Sequence, residues 1–176
     1  EVSFTNLHLP ESLARGVADA GFERCTPIQA QTLPRALAGF DIAGQAQTGT
    51  GKTAAFLIAL YSRLLRAEIP STRKINSPLA LIIAPTRELA VQIHHDAELL
   101  GQYTGLKLCL AFGGVDYEKQ RRDLEDGVDI LIGTPGRLID FYKQQVFDLR
   151  SVQVLVLDEA DRMFDLGFMA DIRYIM

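Results

Sequence analysis

The chain has 176 residues, of which 48% are hydrophobic and 23% are charged, and its formal net charge is −4 at pH 7. This length predicts one domain that buries a core without disulfide or metal staples. The acidic balance argues against a generally basic nucleic-acid-binding surface, and no apolar run approaches the ~18 residues of a membrane span. Cys25 and Cys109 match no metal-binding spacing, and no secretory signal is visible, so we expect a cytoplasmic protein.

The first part of the chain predicts two helices. Residues 9–20 have the pattern of a short helix, and Thr26 and Pro27 mark the start of the next one as N-cap and first helical residue. Gln29 follows in the second helix, where an exposed surface position is one interpretation. The other is adenine recognition, because a glutamine amide can pair with adenine N6 and N7 and Phe22 could stack on the same base.

A glycine-rich segment at residues 44–53 follows an apolar run that ends near residues 42–43. The run predicts a strand, and residues 54–60 predict a helix. Glycines let backbone N–H groups surround phosphate oxygens, and the helix start adds unpaired N–H groups. Lys52 would reach the β- and γ-phosphates, and the Thr53 hydroxyl can bind Mg²⁺. We therefore predict a nucleoside triphosphate site; a glycine-rich turn before an amphipathic helix is the structural alternative.

Four further apolar runs continue the chain, separated by helix patterns. Short continuous apolar runs are typical of strands buried on both faces of a sheet. Helices between such strands imply right-handed crossovers and a parallel sheet. The runs cover residues 79–84, 106–112, 128–132 and 152–157. We expect an α/β fold with a doubly wound parallel sheet of the P-loop type.

Distinctive loops follow the five expected strands directly. They are residues 44–53, 85–90, 113–114, 134–137 and 158–161. Ligands of such sheets bind at the carboxyl ends of the strands. We therefore expect all five loops to lie at one edge of the sheet.

The loop after the last strand is Asp158–Glu159–Ala160–Asp161. An aspartate at a strand end beside a phosphate loop is suited to hold Mg²⁺, and Glu159 next to it could activate the attacking water. A solvated helix start is the alternative, because acidic side chains are favoured there by the helix dipole.

Arg87 and Arg137 lie at expected helix starts, where the helix dipole disfavours a cation. Capping or ion pairing is one interpretation of these arginines. The other is contact with nucleic-acid phosphates, helped by the hydroxyls of Thr86 and Thr134 and by free backbone N–H groups. Gly113–Gly114 would allow a close approach of the backbone.

These motifs resemble those of the DEAD-box ATP-dependent RNA helicases. The resemblance covers the whole chain and rests on residues 46–53, 85–90, 134–137 and 158–161. Ala46 stands where the general phosphate-loop pattern has glycine and where that family tolerates alanine. The resemblance implies a RecA-like domain that binds ATP and Mg²⁺. It also implies that residues 1–176 are the first of two such domains, and that the second, with its arginine fingers, is absent from this chain.

The resemblance further implies a role for each motif residue. The adenine is assigned to Phe22 and Gln29. Phosphate and Mg²⁺ binding are assigned to Thr48, Gly49, Thr50, Gly51, Lys52 and Thr53. Catalysis is assigned to Lys52, Asp158 and Glu159, with Thr53 and Asp158 as the metal-binding residues. The RNA backbone is assigned to Pro85, Thr86, Arg87, Gly113, Gly114, Thr134, Pro135 and Arg137.

The partners expected from the resemblance are RNA and the second RecA-like domain, and no membrane. Residues 45–47 and 165–168 are most similar to bacterial members that work in an RNA degradosome, so a degradosome ribonuclease is a further expected partner. Two other classes of protein remain as alternatives. A GTPase would need an Asn/Thr-Lys-x-Asp guanine reader, and the sequence contains none. A nucleotide-dependent scaffold would bind partners without hydrolysing the nucleotide, and Glu159 would then have no catalytic role.

Overall fold

The computed structural model of the chain describes residues 2–44, 51–165 and 170. Contacts between residues divide the chain into two compact units. The helical unit comprises Glu1–Glu68 and Asp96–Gly105, and the sheet unit comprises Ile69–His95 and Leu106–Met176. Three predicted phosphate-binding residues lie outside the described residues, namely Thr48, Gly49 and Thr50. The segments at 45–47 and 166–168 lie outside them too.

The helical unit contains a short 3-10 helix at Phe4–Leu7 and three α-helices, which are α1 (Glu11–Asp19), α2 (Pro27–Leu37) and α3 (Lys52–Arg66). Helix α2 begins as predicted, with Thr26 as the N-cap and Pro27 in the first turn. Both α1 and α2 pack against α3. Leu13, Leu33, Leu57 and Ile58 are fully buried and form part of the core.

The sheet unit is built on a parallel four-stranded sheet in the order β2-β3-β1-β4. The strands are β1 (Ala80–Ile83), β2 (Leu108–Ala111), β3 (Ile130–Gly133) and β4 (Val154–Leu157). The helices are α4 (Arg87–Leu100), which begins in this unit, α5 (Tyr117–Glu125), α6 (Pro135–Lys143) and α7 (Ala160–Asp165). None of the helices in the described ranges combines the length and the apolar character needed to cross a bilayer.

The order of the strands explains why this sheet is doubly wound. The connection from β1 to β2 runs in one direction across the sheet, whereas the connections from β2 to β3 and from β3 to β4 run in the other. Right-handed crossovers then bring α5 and α6 onto the face opposite the start of α4. The α/β fold with a parallel sheet is therefore confirmed.

The burial of the strands follows their position in the sheet. Strands β1 and β3 are buried at every residue, as their continuous apolar runs predicted. Burial on both faces is wrong for β4, where Leu155 is 40% exposed. Strands β2 and β4 are the two edge strands of the described sheet, and β2 too is less buried than predicted, with only alternate residues buried.

The predicted strand before the glycine-rich segment is also wrong. Residues 41–44 form no strand and are exposed. Phe40 and Ile42 are the large apolar side chains of this segment, and they are 67% and 41% exposed. Two side chains bury too little surface to fix an extended backbone whose N–H and C=O groups lack a neighbouring strand, and no described strand pairs with it.

The core of the sheet unit lies between the sheet and helices α5 and α6. Its buried residues include Leu81, Cys109, Leu131, Phe141 and Phe147. Burial raises the pKa of the Cys109 thiol to about 11. The thiol therefore stays protonated at neutral pH and acts as a packing group.

Candidate functional site

The carboxyl edge of the sheet carries four of the predicted loops. Residues 85–87 follow β1, residues 113–114 follow β2, residues 134–137 follow β3 and residues 158–159 follow β4. Because the four strands are parallel, these four loops emerge at one edge, as we expected of them. The fifth expected loop, residues 44–53, follows no described strand. The loops after β2, β3 and β1 come from neighbouring strands, whereas the loop after β4 lies beyond β1.

An open groove of about 430 Å³ lies over the loops after β1, β2 and β3. Six of the eight predicted RNA-binding residues line it, and they are Pro85, Arg87, Gly113, Thr134, Pro135 and Arg137. Gly136 and Asp140 complete the lining. Thr86 and Gly114 are adjacent in sequence to lining residues and are not part of the lining. The groove therefore presents two guanidinium groups, a hydroxyl and one carboxylate.

The guanidinium of Arg137 is held on the wall of the groove. Its Nη1 donates a hydrogen bond to Gln120 Oε1 at 2.7 Å and to the carbonyl oxygen of Val115 at 3.3 Å. The guanidinium carbon also lies 5.1 Å from the ring centroid of Tyr117 and 5.6 Å from that of Phe141. A cation is attracted to the face of an aromatic ring. The guanidinium of Arg137 is therefore held by its two hydrogen bonds and by its contacts with the two rings.

The guanidinium of Arg87 lies over the ring of Phe112, 5.1 Å from its centroid. Gly114 follows in the left-handed region with φ at +92°, and a Cβ added there would lie 4.0 Å from Arg87 Nη1. A side chain at this position would therefore be strained by the backbone conformation, while its Cβ would make only an ordinary van der Waals contact with the arginine. Phe112 thus supports a cation of the groove.

Helices α4 and α6 begin beside the groove, and their N-termini are capped differently. In α4, the hydroxyl of Thr86 accepts a hydrogen bond from the N–H of Leu89 at 3.3 Å. In α6, Thr134 is the N-cap but its side chain makes no capping hydrogen bond, and Pro135 occupies the first turn. The hydroxyl of Thr134, which lines the groove, and the first N–H groups of α6 are thus available to a ligand.

The acidic loop after β4 is bent. Asp158 is 4% exposed, and its Oδ1 accepts a hydrogen bond from the N–H of Glu159 at 3.0 Å. Glu159 has φ at +52°, an uncommon conformation for a residue with a side chain. Its carboxylate is 3.6 Å from Arg162, and both side chains are partly exposed. Strain of this kind is often found at functional sites.

The start of α3 is the described part of the phosphate-loop motif. Gly51 is the N-cap with φ at +85°, and as a glycine it has no side chain to cap this end of the helix. Lys52 and Thr53 are the first two helical residues, and both are half-buried. The first N–H groups of a helix have no partner within the helix, and they favour anions together with the helix dipole.

Gln29 is fully buried, so its interpretation as an exposed helix residue is wrong. Its Oε1 accepts a hydrogen bond from the N–H of Thr26 at 2.9 Å, and Thr26 in turn accepts one from the N–H of Gln29. This reciprocal pair is a capping box, which the spacing Thr-x-x-Gln could have predicted. Nε2 of Gln29 donates to the carbonyl oxygen of Gly51 at 3.1 Å. Phe22 is half-buried and packs against Phe4, with 5.8 Å between the ring centroids.

Sequence reasoning missed three residues beside the groove. Gly136 lies within the predicted loop at 134–137 but was not assigned to RNA, and Asp140 follows that loop in α6; both line the groove. Gln120 is buried on α5 and holds Arg137. A signal for Gln120 was present, because Tyr117, Gln120 and Leu124 have the spacing of one helix face.

Comparison with known proteins matches residues 26–176 to the family described as DEAD/DEAH box helicase. Several curated bacterial proteins named "ATP-dependent RNA helicase RhlB" are similar over nearly the whole chain. The protein of Aliivibrio salmonicida (strain LFI1238) is 60% identical over 175 residues, which cover 99% of this chain and 40% of the relative. That of Vibrio parahaemolyticus serotype O3:K6 is 59% identical, with the same coverage.

A third relative, from Xanthomonas oryzae pv. oryzae, carries the same name and is 58% identical over 177 residues. The alignment covers 100% of this chain and 31% of that protein. The chain thus spans less than half of the length of these relatives.

Proposed function

Because this chain belongs to the DEAD/DEAH box helicase family, we propose that it is the ATP-binding half of an ATP-dependent RNA helicase. In the complete protein, ATP hydrolysis would drive the local opening of an RNA duplex. The observation that carries the proposal is the groove at the carboxyl edge of the sheet, which gathers Arg87 from the loop after β1 and Thr134 and Arg137 from the loop after β3. A phosphodiester backbone is the ligand that matches this set of donors.

The chemistry of the groove supports binding of the backbone without reading of sequence. Arginine side chains, hydroxyls and backbone N–H groups recognise phosphate and sugar, whereas sequence is read from base edges. Arg87 and Arg137 would contact phosphates, with Gly113, Gly114 and Pro135 allowing the strand to approach. A preference for RNA over DNA would come from contacts with the 2′-hydroxyl.

The nucleotide would bind at the start of α3. The N–H groups that follow Gly51 and the ammonium group of Lys52 suit the phosphates, together with Thr48, Gly49 and Thr50. The amide of Gln29 has a second hydrogen on Nε2 and a second lone pair on Oε1, which match adenine N7 and N6. Gln29 is fully buried in this structure, so the residues around its amide must move apart before adenine can reach it. Phe22 would stack on the base.

Magnesium is expected with ATP, and oxygen ligands are present for it. The carboxylate of Asp158 and the hydroxyl of Thr53 are hard donors of the kind that Mg²⁺ prefers, directly or through water. Asp158 is buried directly after β4, and its Oδ1 accepts a hydrogen bond from the N–H of Glu159. When bound, the ion neutralises charge on the phosphates.

Glu159 is proposed as the general base. Its carboxylate is partly exposed, and the Arg162 guanidinium lies 3.6 Å from it at the surface. The positive φ of Glu159 turns the chain directly after the edge strand β4. The base would hold the proton of the attacking water, while Lys52 stabilises charge on the transferred phosphoryl group.

A second RecA-like domain of the same protein and RNA are the proposed partners, and the curated relatives that the chain matches are more than twice its length. A degradosome ribonuclease is a further proposed partner, in keeping with the similarity of residues 45–47 and 165–168 to bacterial members of that kind. The cytoplasm is the proposed location.

The decisive experiment is RNA-stimulated ATP hydrolysis by the full-length protein. The parental protein should hydrolyse ATP faster when single-stranded RNA is added, and Arg137→Ala should need more RNA for half-maximal stimulation. A nucleotide-dependent scaffold would bind ATP and RNA without hydrolysis. Absence of RNA-stimulated hydrolysis in the full-length protein would therefore favour the scaffold.

A further inference from the structure

Gln120 is a buried polar residue that lies behind the groove and does not line it. It belongs to α5, whose other buried residue is Leu124, and only 8% of Gln120 is exposed. A buried amide destabilises a protein unless its polar atoms are hydrogen-bonded, and an apolar side chain could fill the same space. The contacts of this amide therefore indicate why a glutamine is placed there.

The side-chain oxygen of Gln120 joins two loops of the groove. It accepts one hydrogen bond from the N–H of Phe112 at 3.3 Å and another from Arg137 Nη1 at 2.7 Å. Phe112 directly precedes the Gly113–Gly114 turn after β2, and Arg137 opens α6 after β3. The loop after β1 is connected to the same residues, because its Arg87 lies over the ring of Phe112.

The direction of the Arg137 guanidinium is set by these contacts. Within the ranges that the structure describes, its hydrogen bonds to Gln120 and Val115 both use Nη1. Nε and Nη2 therefore remain for a ligand in the groove that Arg137 lines. The donors of a guanidinium lie in one rigid plane, so holding Nη1 fixes where the others point.

We propose that Gln120 is a positioning residue for RNA, which aims the free donors of Arg137 at a backbone phosphate and couples this arginine to the loop after β2. This inference rests on the proposed function and deepens it. Gln120 makes no contact with RNA; it acts through Arg137. Without its oxygen, the long arginine side chain would regain rotamer freedom, and RNA binding would have to remove that freedom again.

The test is RNA affinity in the full-length protein, measured by fluorescence anisotropy with a short labelled oligouridylate and a non-hydrolysable ATP analogue. Gln120→Met keeps the length of the side chain and removes the acceptor. We expect about tenfold weaker RNA binding, in line with the loss of a hydrogen bond to a charged group. Affinity for the ATP analogue should stay unchanged. Gln102→Met, at an exposed glutamine of the helical unit, is the matched control and should leave RNA affinity unchanged.

A double-mutant cycle with Arg137→Met separates positioning from general damage. If Gln120 acts through Arg137, Gln120→Met should weaken RNA binding in the parental protein and have no further effect in Arg137→Met. An equal loss in both backgrounds, or no loss in either, would overturn the inference. If Gln120→Met fails to fold, Gln120→Asn replaces it, because the shorter amide cannot reach both partners, and the same expectations apply.

The same measurements distinguish this inference from the proposed function. If the parental protein binds no RNA, the proposed function fails. If Arg137→Met weakens RNA binding and Gln120→Met does not, the proposed function stands and the positioning role of Gln120 is wrong.

Discussion

The Nε2 of Gln29 donates a hydrogen bond to the carbonyl oxygen of Gly51 at 3.1 Å, and so connects the first turn of α2 to the residue that opens α3. The other end of the same amide closes the capping box with Thr26. One side chain therefore stabilises a helix start and touches the backbone beside the proposed phosphate site. Adenine binding, helix stability and the backbone of the phosphate loop are expected to depend on it together.

The first prediction concerns the base that the site prefers. The parental protein should bind ADP more tightly than GDP, and Gln29→Ala should reduce that preference because the amide that suits adenine is lost. The variant should also lose about 1 kcal/mol of unfolding free energy with the capping box. Titration with labelled ADP and GDP, together with denaturant unfolding, measures both effects. Gln31→Ala, at an exposed glutamine of the same helix, should change neither. Equal affinities of the parental protein for ADP and GDP would contradict the assignment.

The second prediction concerns Gly51. A Cβ at this position would lie 2.4 Å from Gln29 Nε2 and 3.0 Å from Thr26 Oγ1, and φ is +85°. Gly51→Ala should therefore displace Gln29 and weaken nucleotide binding, beyond the cost of about 1 kcal/mol for the left-handed conformation.

Gly39→Ala is the matched control for this change. Gly39 has φ at +96°, and a Cβ there would meet nothing within 4 Å. Gly39→Ala should lower the melting temperature only through the cost of placing alanine in the left-handed conformation, and it should leave ADP affinity unchanged. Equal losses of ADP affinity in the two variants would show that the contact with Gln29 is unimportant.

The third prediction separates catalysis from binding. In the full-length protein, Glu159→Gln should keep ATP affinity and slow hydrolysis by about 10²–10⁴-fold, the usual contribution of a general base. Lys52→Ala should weaken ATP binding instead, because it removes a cation from the phosphates. Steady-state hydrolysis and equilibrium ATP binding distinguish the two. Glu118→Gln, at an exposed acid of α5, serves as the control. Hydrolysis at the parental rate in Glu159→Gln would rule out Glu159 as the base.

The fourth prediction concerns salt. Each of Arg87→Ala and Arg137→Ala should weaken RNA binding to all sequences alike and reduce the slope of log affinity against log salt by about 0.7, the value for one phosphate contact on a single strand. RNA titrations over a range of salt concentrations test this. Arg63→Ala, at an exposed arginine of α3, should leave the slope unchanged. A sequence preference that survives at high salt would argue for base contacts.

The fifth prediction concerns the second domain. Arginine fingers raise the turnover of P-loop enzymes by a factor of roughly 10³–10⁵. In the proposed mechanism, strand separation also needs two domains that close on the duplex. Residues 1–176 alone should therefore bind nucleotide weakly and show neither RNA-stimulated hydrolysis nor unwinding. A second domain supplied as a separate polypeptide should restore only a trace, since no linker raises its effective concentration. Unwinding by residues 1–176, with the duplex in excess, would overturn the two-domain proposal.

The sequence by itself determined the local elements and the class of fold. Thr26 and Pro27 predicted the start of α2, and the continuous apolar runs predicted β1 and β3 with their burial. Alternation of strands and helices predicted the parallel sheet, so the loops after the strands could be assigned to one edge. These features depend on the periodicity of neighbouring residues and on backbone chemistry, which are properties of the sequence alone.

The tertiary structure decided which neighbours the polar side chains meet. The strand order makes β4 an edge strand, which exposes Leu155, and it brings the loops after β2, β3 and β1 together around the groove. Glutamine is usually an exposed residue, yet Gln29 and Gln120 are both buried. The fold supplies distant partners for each: Gln29 donates to the carbonyl oxygen of Gly51, and Gln120 accepts from the N–H of Phe112 and from Arg137. A hydrogen bond between α5 and α6 depends on the packing of the two helices, since residues 120 and 137 are too far apart in sequence for local pattern to relate them.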